Sequence, residues 1–280
     1  MDWREHANGA SGIRLAEQSL RKIRKGVAYL RYRPRIAVAP YDGAQGNLIT
    51  LGTEYGGWTF VDDPRLHGAT VISCGLGEDA SFDVEFARRY DAKVVIVDPT
   101  PRSIAHYEAI RQRLGRHATT GYVKGGKQPV EAYDLSGLTA DRFDLVPKAL
   151  WTAPEKLKFF SPPNPEHVSH SIVNYLNGYA ADTPYIEVEA ITLPELMKEK
   201  RIDRLELLKL DIEGAEVKVI EHMLAEGIYP RQLLVEFDEL AHPSQRAKHN
   251  FEASDARLGE CGYRLIDFNG TANFLYFKNR

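Results

Sequence analysis

Several carboxylates stand directly after apolar runs of the sequence. Asp98 follows residues 93–97, and Asp211 and Glu213 follow residues 205–210. Short apolar runs bounded by polar residues are typical of buried strands in a parallel sheet. A carboxylate at the end of such a strand can accept hydrogen bonds from sugar hydroxyls, take a proton from a substrate or bind a hard cation. Because parallel strands end at a common edge, we expect these acids to lie in one cleft.

A strand, a glycine turn and a helix precede Asp98. Residues 70–72 are apolar, Gly75 and Gly77 follow, and an amphipathic helix pattern begins near Phe82. Glycine has no Cβ, so both positions can adopt positive φ and allow a ligand to approach the backbone. Asp98 lies about twenty residues further on, the spacing of an acid that binds ribose hydroxyls. The glycines alone are weak evidence for a ligand, because a tight turn between a strand and a helix needs them in any case. Together with Asp98, they favour a nucleoside cofactor.

Lysine and histidine side chains are further candidates for acid–base chemistry. Lys209 lies two residues before Asp211, so both side chains point to the same side of the predicted strand. The alternative for this pair is a surface salt bridge. His167 and His170 are a second source of a base, because the pKa of histidine suits proton transfer near neutral pH. A histidine in a loop is more often simply solvated.

Aromatic residues near these groups could hold a flat ligand. Trp151 ends a predicted third strand at residues 145–151, where it either stacks on a base or caps the core. Tyr55 and Trp58 lie in the glycine-rich segment 52–58, where they either flank a ligand or pack over the edge of the sheet. Simple burial is the common outcome for such residues.

Strand and helix patterns alternate along the chain and predict the scaffold for these groups. Further strands are predicted at residues 185–190, 205–210 and 232–238, with helices between them. Residues 263–268 and 273–277 are joined by a short link that contains glycine, which is typical of a hairpin. The pattern predicts an α/β fold, a doubly wound sheet with a C-terminal antiparallel hairpin.

Two segments lie outside this alternation. Residues 11–33 form a predicted amphipathic helix with a basic face, which packs on its own domain, pairs with a second subunit in a homodimer, or lies on an acidic surface or membrane. The chain therefore divides into an N-terminal helical extension, residues 1–34, and a main domain, residues 35–280. Within the main domain, residues 155–181 are rich in proline and are predicted to form an irregular lid over the acceptor site.

The composition excludes several classes of partner. The formal net charge of the 280 residues is −3, which argues against a large nucleic-acid footprint. No stretch is apolar enough to span a bilayer, and the N-terminal residues lack the apolar core of a signal peptide. The two cysteines, Cys74 and Cys261, are far apart in sequence and favour a reduced protein. We therefore expect a cytoplasmic protein with no DNA partner.

One stretch of the sequence matches a known signature. Residues 209–216, KLDIEGAE, resemble the signature of the FkbM family of S-adenosylmethionine-dependent methyltransferases, and every position matches. Residues 73–79, together with Ser81, Phe82 and Asp83, are similar to the cofactor loop of this family, with Ser73 where many members carry aspartate. Asp98 and the prolines after it resemble the family's acid and proline-rich turn. The resemblance covers roughly residues 52–240.

The resemblance implies a class I methyltransferase fold, a Rossmann-like doubly wound sheet, with S-adenosylmethionine as the cofactor. It also implies O-methylation of a hydroxyl on a small-molecule or glycan acceptor, such as a sugar or a secondary metabolite. The catalytic candidates are then Asp211, Glu213, Lys209 and His170. The cofactor-binding candidates are Ser73, Gly75, Gly77, Glu78, Asp79, Asp98, Trp151 and Asp211. We expect Asp211 to matter for turnover more than for folding, because core packing holds the apolar strand before it.

A metal requirement and other functions are alternatives at this stage. Asp211, Glu236 and Asp238 fall at the ends of adjacent predicted strands, where some Mg²⁺-dependent O-methyltransferases carry carboxylates. Hard oxygen ligands suit Mg²⁺, and the alternative is a set of solvated acids. The competing functions are a non-catalytic S-adenosylmethionine-binding protein and an RNA ribose methyltransferase. A nicotinamide-dependent oxidoreductase would use the same glycine corner, but the full G-x-G-x-x-G pattern is absent.

Overall fold

The computed structural model describes residues 30–160 and 183–279, together with Gly26. The N-terminal helix, apart from its last residues, and its proposed dimer contact lie outside the described residues. The same holds for His167 and His170 and for residues 161–181 of the predicted lid. In the described ranges, no helix is long and apolar enough to cross a membrane.

Strands and helices alternate along most of the described chain. The strands are β1 (Leu48–Leu51), β2 (Trp58–Val61), β3 (Thr70–Cys74), β4 (Lys93–Val97), β5 (Phe143–Val146), β6 (Ala149–Leu150), β7 (Lys156–Phe160), β8 (Tyr185–Ile191), β9 (Leu207–Leu210), β10 (Gln232–Glu236), β11 (Arg264–Phe268) and β12 (Asn273–Phe277). The α-helices are α1 (Ser81–Tyr90), α2 (Pro101–Arg111), α3 (Leu193–Lys200), α4 (Glu216–Ala225) and α5 (Gln245–Glu260). The fold is therefore mixed α/β, as the sequence predicts.

Seven strands form the central sheet, in the order β11-β12-β10-β9-β3-β4-β5. Neighbouring strands from β10 to β5 run parallel, and β12 runs antiparallel to both β10 and β11. The chain enters this sheet at β3, adds β4 and β5 on one side, and then crosses to β9 on the other side. Open α/β sheets bind ligands where the strand order reverses, at the carboxyl ends of the strands. Here that point lies between β3 and β9.

Apolar side chains cover both faces of the central sheet. Along β4, Val94 and Ile96 belong to one core cluster, and Val95 and Val97 belong to the other. Successive side chains of a strand point to opposite faces, so a strand buried on both sides needs a continuous apolar run. This is why β4 is recognisable from composition alone, and why its end is held firmly by packing.

A second sheet contains three strands in the order β6-β8-β7. The predicted third strand, residues 145–151, is divided between the two sheets, because Pro147 lacks the N–H that would continue the ladder after β5. The prediction that the lid is irregular from residue 155 is wrong at its start, since β7 pairs antiparallel with β8. The sequence of β7 is KLKFF, in which lysines interrupt the apolar residues and Phe159 is buried. The segment therefore lacks the continuous apolar run that identifies a strand.

Candidate active site

A cleft of about 350 Å³ opens at the carboxyl ends of β3, β4, β9 and β10. This volume lies within the usual range of small-molecule sites. Residues 54–58 and the β11–β12 turn also border the cleft. Among the predicted site residues, those that line it are Gly75, Gly77, Glu78, Asp79, Asp98, Lys209, Asp211, Glu213 and Glu236. The fold thus brings together residues from strand ends that are far apart in sequence.

Two glycines with positive φ form the turn after β3, here called the glycine corner (residues 75–77). Gly75 has φ 84° and Gly77 has φ 58°. A Cβ on Gly75 would overlap the carbonyl oxygen of Asp211, so the end of β9 approaches this point more closely than any side chain allows. A Cβ on Gly77 would meet nothing within 4 Å. The backbone of Asp211 therefore fills the space beside Gly75, whereas the space beside Gly77 is open.

Gly75→Ala is expected to lower the free energy of unfolding by about 2–4 kcal/mol, because strain at positive φ adds to the overlap with Asp211. Gly77→Ala serves as the matched control, since its new methyl group has open space. That variant carries the conformational cost alone, about 1–2 kcal/mol. Urea denaturation of both variants measures the difference. Equal losses in the two variants would contradict the close approach of β9.

Lys209 links β9 to the glycine corner. Its Nζ atom donates to the carbonyl oxygens of Gly75 (2.6 Å) and Cys74 (3.3 Å). It also donates to Oδ2 of Asp211 at 3.3 Å. An ammonium group has three N–H donors, so these contacts use its full capacity. Burial disfavours the charge, but Asp211 and Asp83 outweigh burial and raise the pKa of Lys209, which is therefore protonated.

The pair formed by Lys209 and Asp211 fixes a carboxylate at the cleft. The side chain of Lys209 is 3% exposed and that of Asp211 is 31% exposed, so the lysine is buried behind an accessible acid. The sequence left a surface salt bridge as the alternative for this pair, and the structure places it instead at the switch point of the sheet. Lys209 orients Asp211, and Asp211 is the member of the pair that a ligand can reach.

Asp98 lies at the end of β4 and lines the cleft, but both of its oxygens have partners within the chain. Oδ2 accepts from the backbone N–H groups of Leu76 and Gly77, and also from the hydroxyl of Ser103. Oδ1 accepts from the N–H and the hydroxyl of Thr100. A carboxylate offers about four lone-pair positions, so these five donors fill it. Ribose hydroxyls would have to replace some of them, and in the present arrangement Asp98 holds the glycine corner in shape.

Glu78 and Asp79 are also engaged by the chain. Glu78 pairs with Arg102 at 3.5 Å and with Lys127 at 3.2 Å. Asp79 accepts from Oγ1 of Thr53 at 2.6 Å and from the first N–H of α1 at 3.0 Å. These contacts fasten the segment before β2 to the start of α1. Both residues border the cleft. Glu78 already has cationic partners, and Asp79 already accepts two hydrogen bonds.

Glu216 holds the acidic turn that follows β9. Its carboxyl oxygens accept from the N–H groups of Ile212 (3.0 Å) and Gly214 (3.0 and 3.1 Å). Glu213 and Gly214 both have positive φ, 52° and 95°. The left-handed conformation is uncommon for glutamate, so the turn needs this support. The spacing Glu-Gly-Ala-Glu therefore has a structural reason, a glycine for the tight turn and a final glutamate that binds its N–H groups.

The buried Glu216 and the half-buried Glu236 and Asp238 form a group of acids beside this turn. Burial raises the pKa of each, and Asp211 and Glu213 add to the rise at Glu236. In the part of the chain that the structure describes, no group of three or more His, Cys, Asp or Glu side chains is arranged to hold a metal ion. The Mg²⁺ site that the sequence offers as an alternative at Asp211, Glu236 and Asp238 stays a prediction.

The stability of the protein is expected to fall as pH rises from about 5 to about 8. Burial raises the pKa of Glu216 from 4.5 to about 8, so the folded state holds a proton that the unfolded chain has released. Glu216→Gln keeps an acceptor oxygen but cannot ionise, and it is expected to flatten this decline. Urea denaturation of both proteins across this pH range is the measurement. An equally steep decline in the variant would show that other groups cause it.

Ser73 and Trp151, two predicted cofactor contacts, are not among the residues that line the cleft. Ser73 is buried, and its hydroxyl has no hydrogen-bond partner. Trp151 packs against the core and donates its indole N–H to Glu155 at 3.0 Å. This arrangement matches the alternative interpretation of Trp151 as a cap on the core. His170 lies outside the described residues and stays a prediction.

The cleft also contains residues that were not among the predicted site residues. Asp83 lies on α1, and the β11–β12 turn contributes Asn269, Thr271 and Asn273. Asp83 belongs to the segment that resembles the family's cofactor loop, and that resemblance was the available signal. The β11–β12 turn has no signal in its own sequence, because only the strand order of the sheet places it beside β10.

Comparison with known proteins assigns the class and then the family. The Methyltransferase FkbM domain matches residues 67–265, which span β3 to β10 and all the strand ends that form the cleft. The chain is therefore a methyltransferase. It belongs to the FkbM methyltransferase family, and the resemblance seen at residues 209–216 is confirmed.

A similar solved structure is that of a mutant 16S rRNA (adenine(1408)-N(1))-methyltransferase from Catenulisporales acidiphilia. The sequence identity is 13% and the TM-score is 0.34, over 82% of this chain and 96% of the other. Similarity of this degree does not indicate the acceptor of this chain. No curated protein matches the chain.

Proposed function

We propose that the chain transfers a methyl group from S-adenosylmethionine to a hydroxyl of a sugar or a secondary metabolite. The observation that carries this proposal is the buried link from Lys209 to Gly75 and Asp211, which fixes an accessible carboxylate beside the glycine corner. A base at that position serves a hydroxyl acceptor, because a hydroxyl must lose its proton when it is methylated.

The charges of the cleft fit a cofactor that carries positive charge. The acidic side chains that line it are Glu54, Glu78, Asp79, Asp83, Asp98, Asp211, Glu213 and Glu236. Burial raises the pKa of Asp83 and of Glu236, so the other six carry most of the negative charge. Among the described lining residues, Lys209 is the one cationic side chain, and its donors are already used. When bound, S-adenosylmethionine supplies a methyl group on a positively charged sulfur. The glycine corner would border its methionine end, and Asp98 would bind the ribose in exchange for some of its present donors.

In the proposed reaction, Asp211 would accept the proton that the acceptor hydroxyl loses when its oxygen is methylated. Lys209 holds the Asp211 carboxylate in place and stabilises its charge. Glu213 on the same turn is the alternative base. Positioning the oxygen near the methyl group lowers the barrier, and a base adds about 10²–10⁴-fold to the rate.

The same charges support a small acceptor over RNA. Proteins that bind nucleic acid neutralise phosphates with lysine and arginine. Here Lys209 is buried in the protein, and Arg102 and Lys127 near the cleft are paired with Glu78. An acceptor without phosphate groups is therefore the better fit. The cytoplasmic location and the homodimer through the N-terminal helix stay predictions from the sequence.

Two measurements test the proposal. Calorimetric titration with S-adenosylhomocysteine is expected to show binding at one site. Incubation with methyl-labelled S-adenosylmethionine and a panel of neutral glycosides and hydroxylated metabolites, followed by mass spectrometry, is expected to show a methyl group added to oxygen. Cofactor binding without transfer to any hydroxyl would indicate the non-catalytic binding protein. Absence of cofactor binding would overturn the proposal.

A further inference from the structure

Tyr55 presents an exposed aromatic ring at the cleft. The glycine-rich segment 52–58 contains two aromatic residues that differ in burial. Trp58 is 3% exposed and belongs to a core cluster, whereas Tyr55 is 66% exposed, and both line the cleft. Aromatic side chains and a few polar groups line most small-molecule sites. Tyr55 is therefore a candidate for contact with a ligand, to which the proposed reaction gives no role.

The chain holds the ring of Tyr55 in place even though the ring is exposed. A Cβ on Gly126 would overlap the ring, so the ring lies directly against the backbone at Gly126. Gly126 does not have positive φ, so the contact with the ring, and not the backbone conformation, is what requires a glycine there. On its other side, the backbone N–H of Tyr55 donates to Oγ1 of Thr53 at 3.2 Å.

The loop that carries Gly126 is itself fixed by a buried side chain. Gln128 is buried, and its Oε1 accepts from the N–H of Val123 at 2.9 Å. Its Nε2 donates to the carbonyl oxygens of Val123 (2.9 Å) and Gly125 (2.8 Å). A side chain that is held before a ligand arrives loses little conformational freedom on binding. The ring of Tyr55 is therefore a preformed surface of the cleft.

Tyr55 lies on the side of the cleft that the cofactor leaves free. Partial desolvation raises the pKa of Tyr55, and the charges of Asp211, Glu213 and Glu236 raise it further, so its hydroxyl lies near the ends of β9 and β10. The glycine corner and Asp98 follow β3 and β4, which the strand order places on the other side of the switch point. The acceptor is therefore the ligand that Tyr55 would contact.

The β11–β12 turn adds a neutral polar edge to the same side. Asn273 lies opposite Glu236 in the register of β12 and β10, which brings the turn to the end of β10. Oδ1 of Asn269 accepts from the N–H groups of Thr271 and Asn273 and from the hydroxyl of Thr271, which fixes the turn. All three turn residues line the cleft. Their amide and hydroxyl groups are uncharged and include both donors and acceptors.

We propose that Tyr55 and the β11–β12 turn form the acceptor subsite, and that the acceptor is a neutral sugar ring. This inference rests on the proposed function and narrows its acceptor to a sugar. One face of a sugar ring consists of C–H groups, which can pack on the aromatic ring of Tyr55. The hydroxyls at its edge both donate and accept hydrogen bonds, as the groups of the turn do. Asp211 and Glu213 nearby disfavour an acceptor with negative charge.

The preference among acceptors is the first test. The protein is incubated with methyl-labelled S-adenosylmethionine and, separately, with the methyl pyranosides of glucose, galactose, mannose and rhamnose, with methyl glucosiduronate, and with catechol. At least one neutral glycoside is expected to react with a kcat/KM at least about tenfold above those of the charged glycoside and catechol. An equal or higher kcat/KM for catechol or the charged glycoside would overturn this inference and leave O-methyl transfer standing. Cofactor binding without transfer to any of these hydroxyls would overturn the proposed function and this inference together.

Substitutions then locate the subsite with the preferred glycoside. Tyr55→Ala is expected to raise the KM for the glycoside at least about tenfold, and Tyr55→Phe, which keeps the ring, less than about threefold. Gly126→Ala is expected to raise this KM as well, because its new methyl group displaces the ring. Gly121→Ala in the same loop is the matched control, since its methyl group meets nothing within 4 Å and its φ is not positive. Asn273→Ala is expected to raise the KM by about three- to tenfold, the effect of one hydrogen bond.

Titration with S-adenosylhomocysteine separates the acceptor subsite from the cofactor site. All five variants are expected to bind it within about twofold of wild type, which also shows that they are folded. An unchanged KM in folded Tyr55→Ala or Asn273→Ala protein would overturn the proposal. An equal loss of affinity for S-adenosylhomocysteine and the glycoside in Tyr55→Ala would overturn it too, because Tyr55 would then serve the cofactor. So would a rise in KM in Gly121→Ala as large as that in Gly126→Ala.

Discussion

Replacing Asp211 with asparagine is expected to lower the rate of methyl transfer by a factor of about 10² or more. The substitution keeps the shape of the side chain but removes the charge that accepts the proton. Because Oδ2 of Asp211 lies 3.3 Å from the buried Nζ of Lys209, the variant is also expected to lose stability. A loss of about 1–3 kcal/mol is typical for a buried donor whose charged partner is removed. The measurements are a methyl-transfer assay and urea denaturation.

Glu213→Gln is the matched control, since it removes a carboxylate from the same turn. It is expected to keep more of the rate and to leave the contacts of Lys209 intact. Titration with S-adenosylhomocysteine separates an effect on turnover from an effect on cofactor affinity. Near wild-type turnover in a folded, cofactor-bound Asp211→Asn protein would refute the assignment of the base. If Glu213→Gln alone abolishes turnover, the role of base passes to Glu213.

Lys209→Met is expected to cause the largest loss of stability, about 3–5 kcal/mol, because it removes the cation beside the buried Asp83 and the half-buried Asp211. Methionine fills a similar volume, but the carbonyl oxygens of Cys74 and Gly75 lose their donor. Asp83 and Asp211 lose the cation that stabilises both. The strand β9 and the glycine corner would then no longer be linked through a side chain. The free energy of unfolding, measured with urea, gives the size of the effect.

Lys218→Met is the control for removal of a lysine charge. The side chain of Lys218 is 61% exposed and forms an ion pair with Glu221 at 2.8 Å on the surface of α4. Exposed pairs of this kind contribute less than about 1 kcal/mol. If Lys209→Met also costs less than that, Lys209 is not the structural link that its contacts indicate. Adding Asp83→Asn to Lys209→Met should recover part of the loss, because the two residues are coupled.

The elements that carry the site follow from local patterns in the sequence. A strand buried on both faces needs a continuous apolar run, and β4 has one directly before Asp98. The tight turn after β3 needs residues that tolerate positive φ, which marks Gly75 and Gly77. Because parallel strands share one edge, the strand pattern alone is enough to predict a cleft between these acids. The family signature at residues 209–216 likewise depends on neighbouring positions alone.

What each side chain does in the cleft was decided by contacts between distant segments. The Nζ of Lys209 bonds to Gly75, 134 positions away in sequence, so Lys209 is buried and the alternative of a surface salt bridge does not hold. Asp98 has the right spacing for a ribose acid, but Ser103 and the glycine corner turn toward it and fill its oxygens. Asp83 belongs to the segment that resembles the family's cofactor loop, but its burial follows only from the packing of α1. Periodicity determines which residues are placed at the sheet edge, whereas hydrogen-bond saturation and burial depend on three-dimensional neighbours that local patterns do not contain.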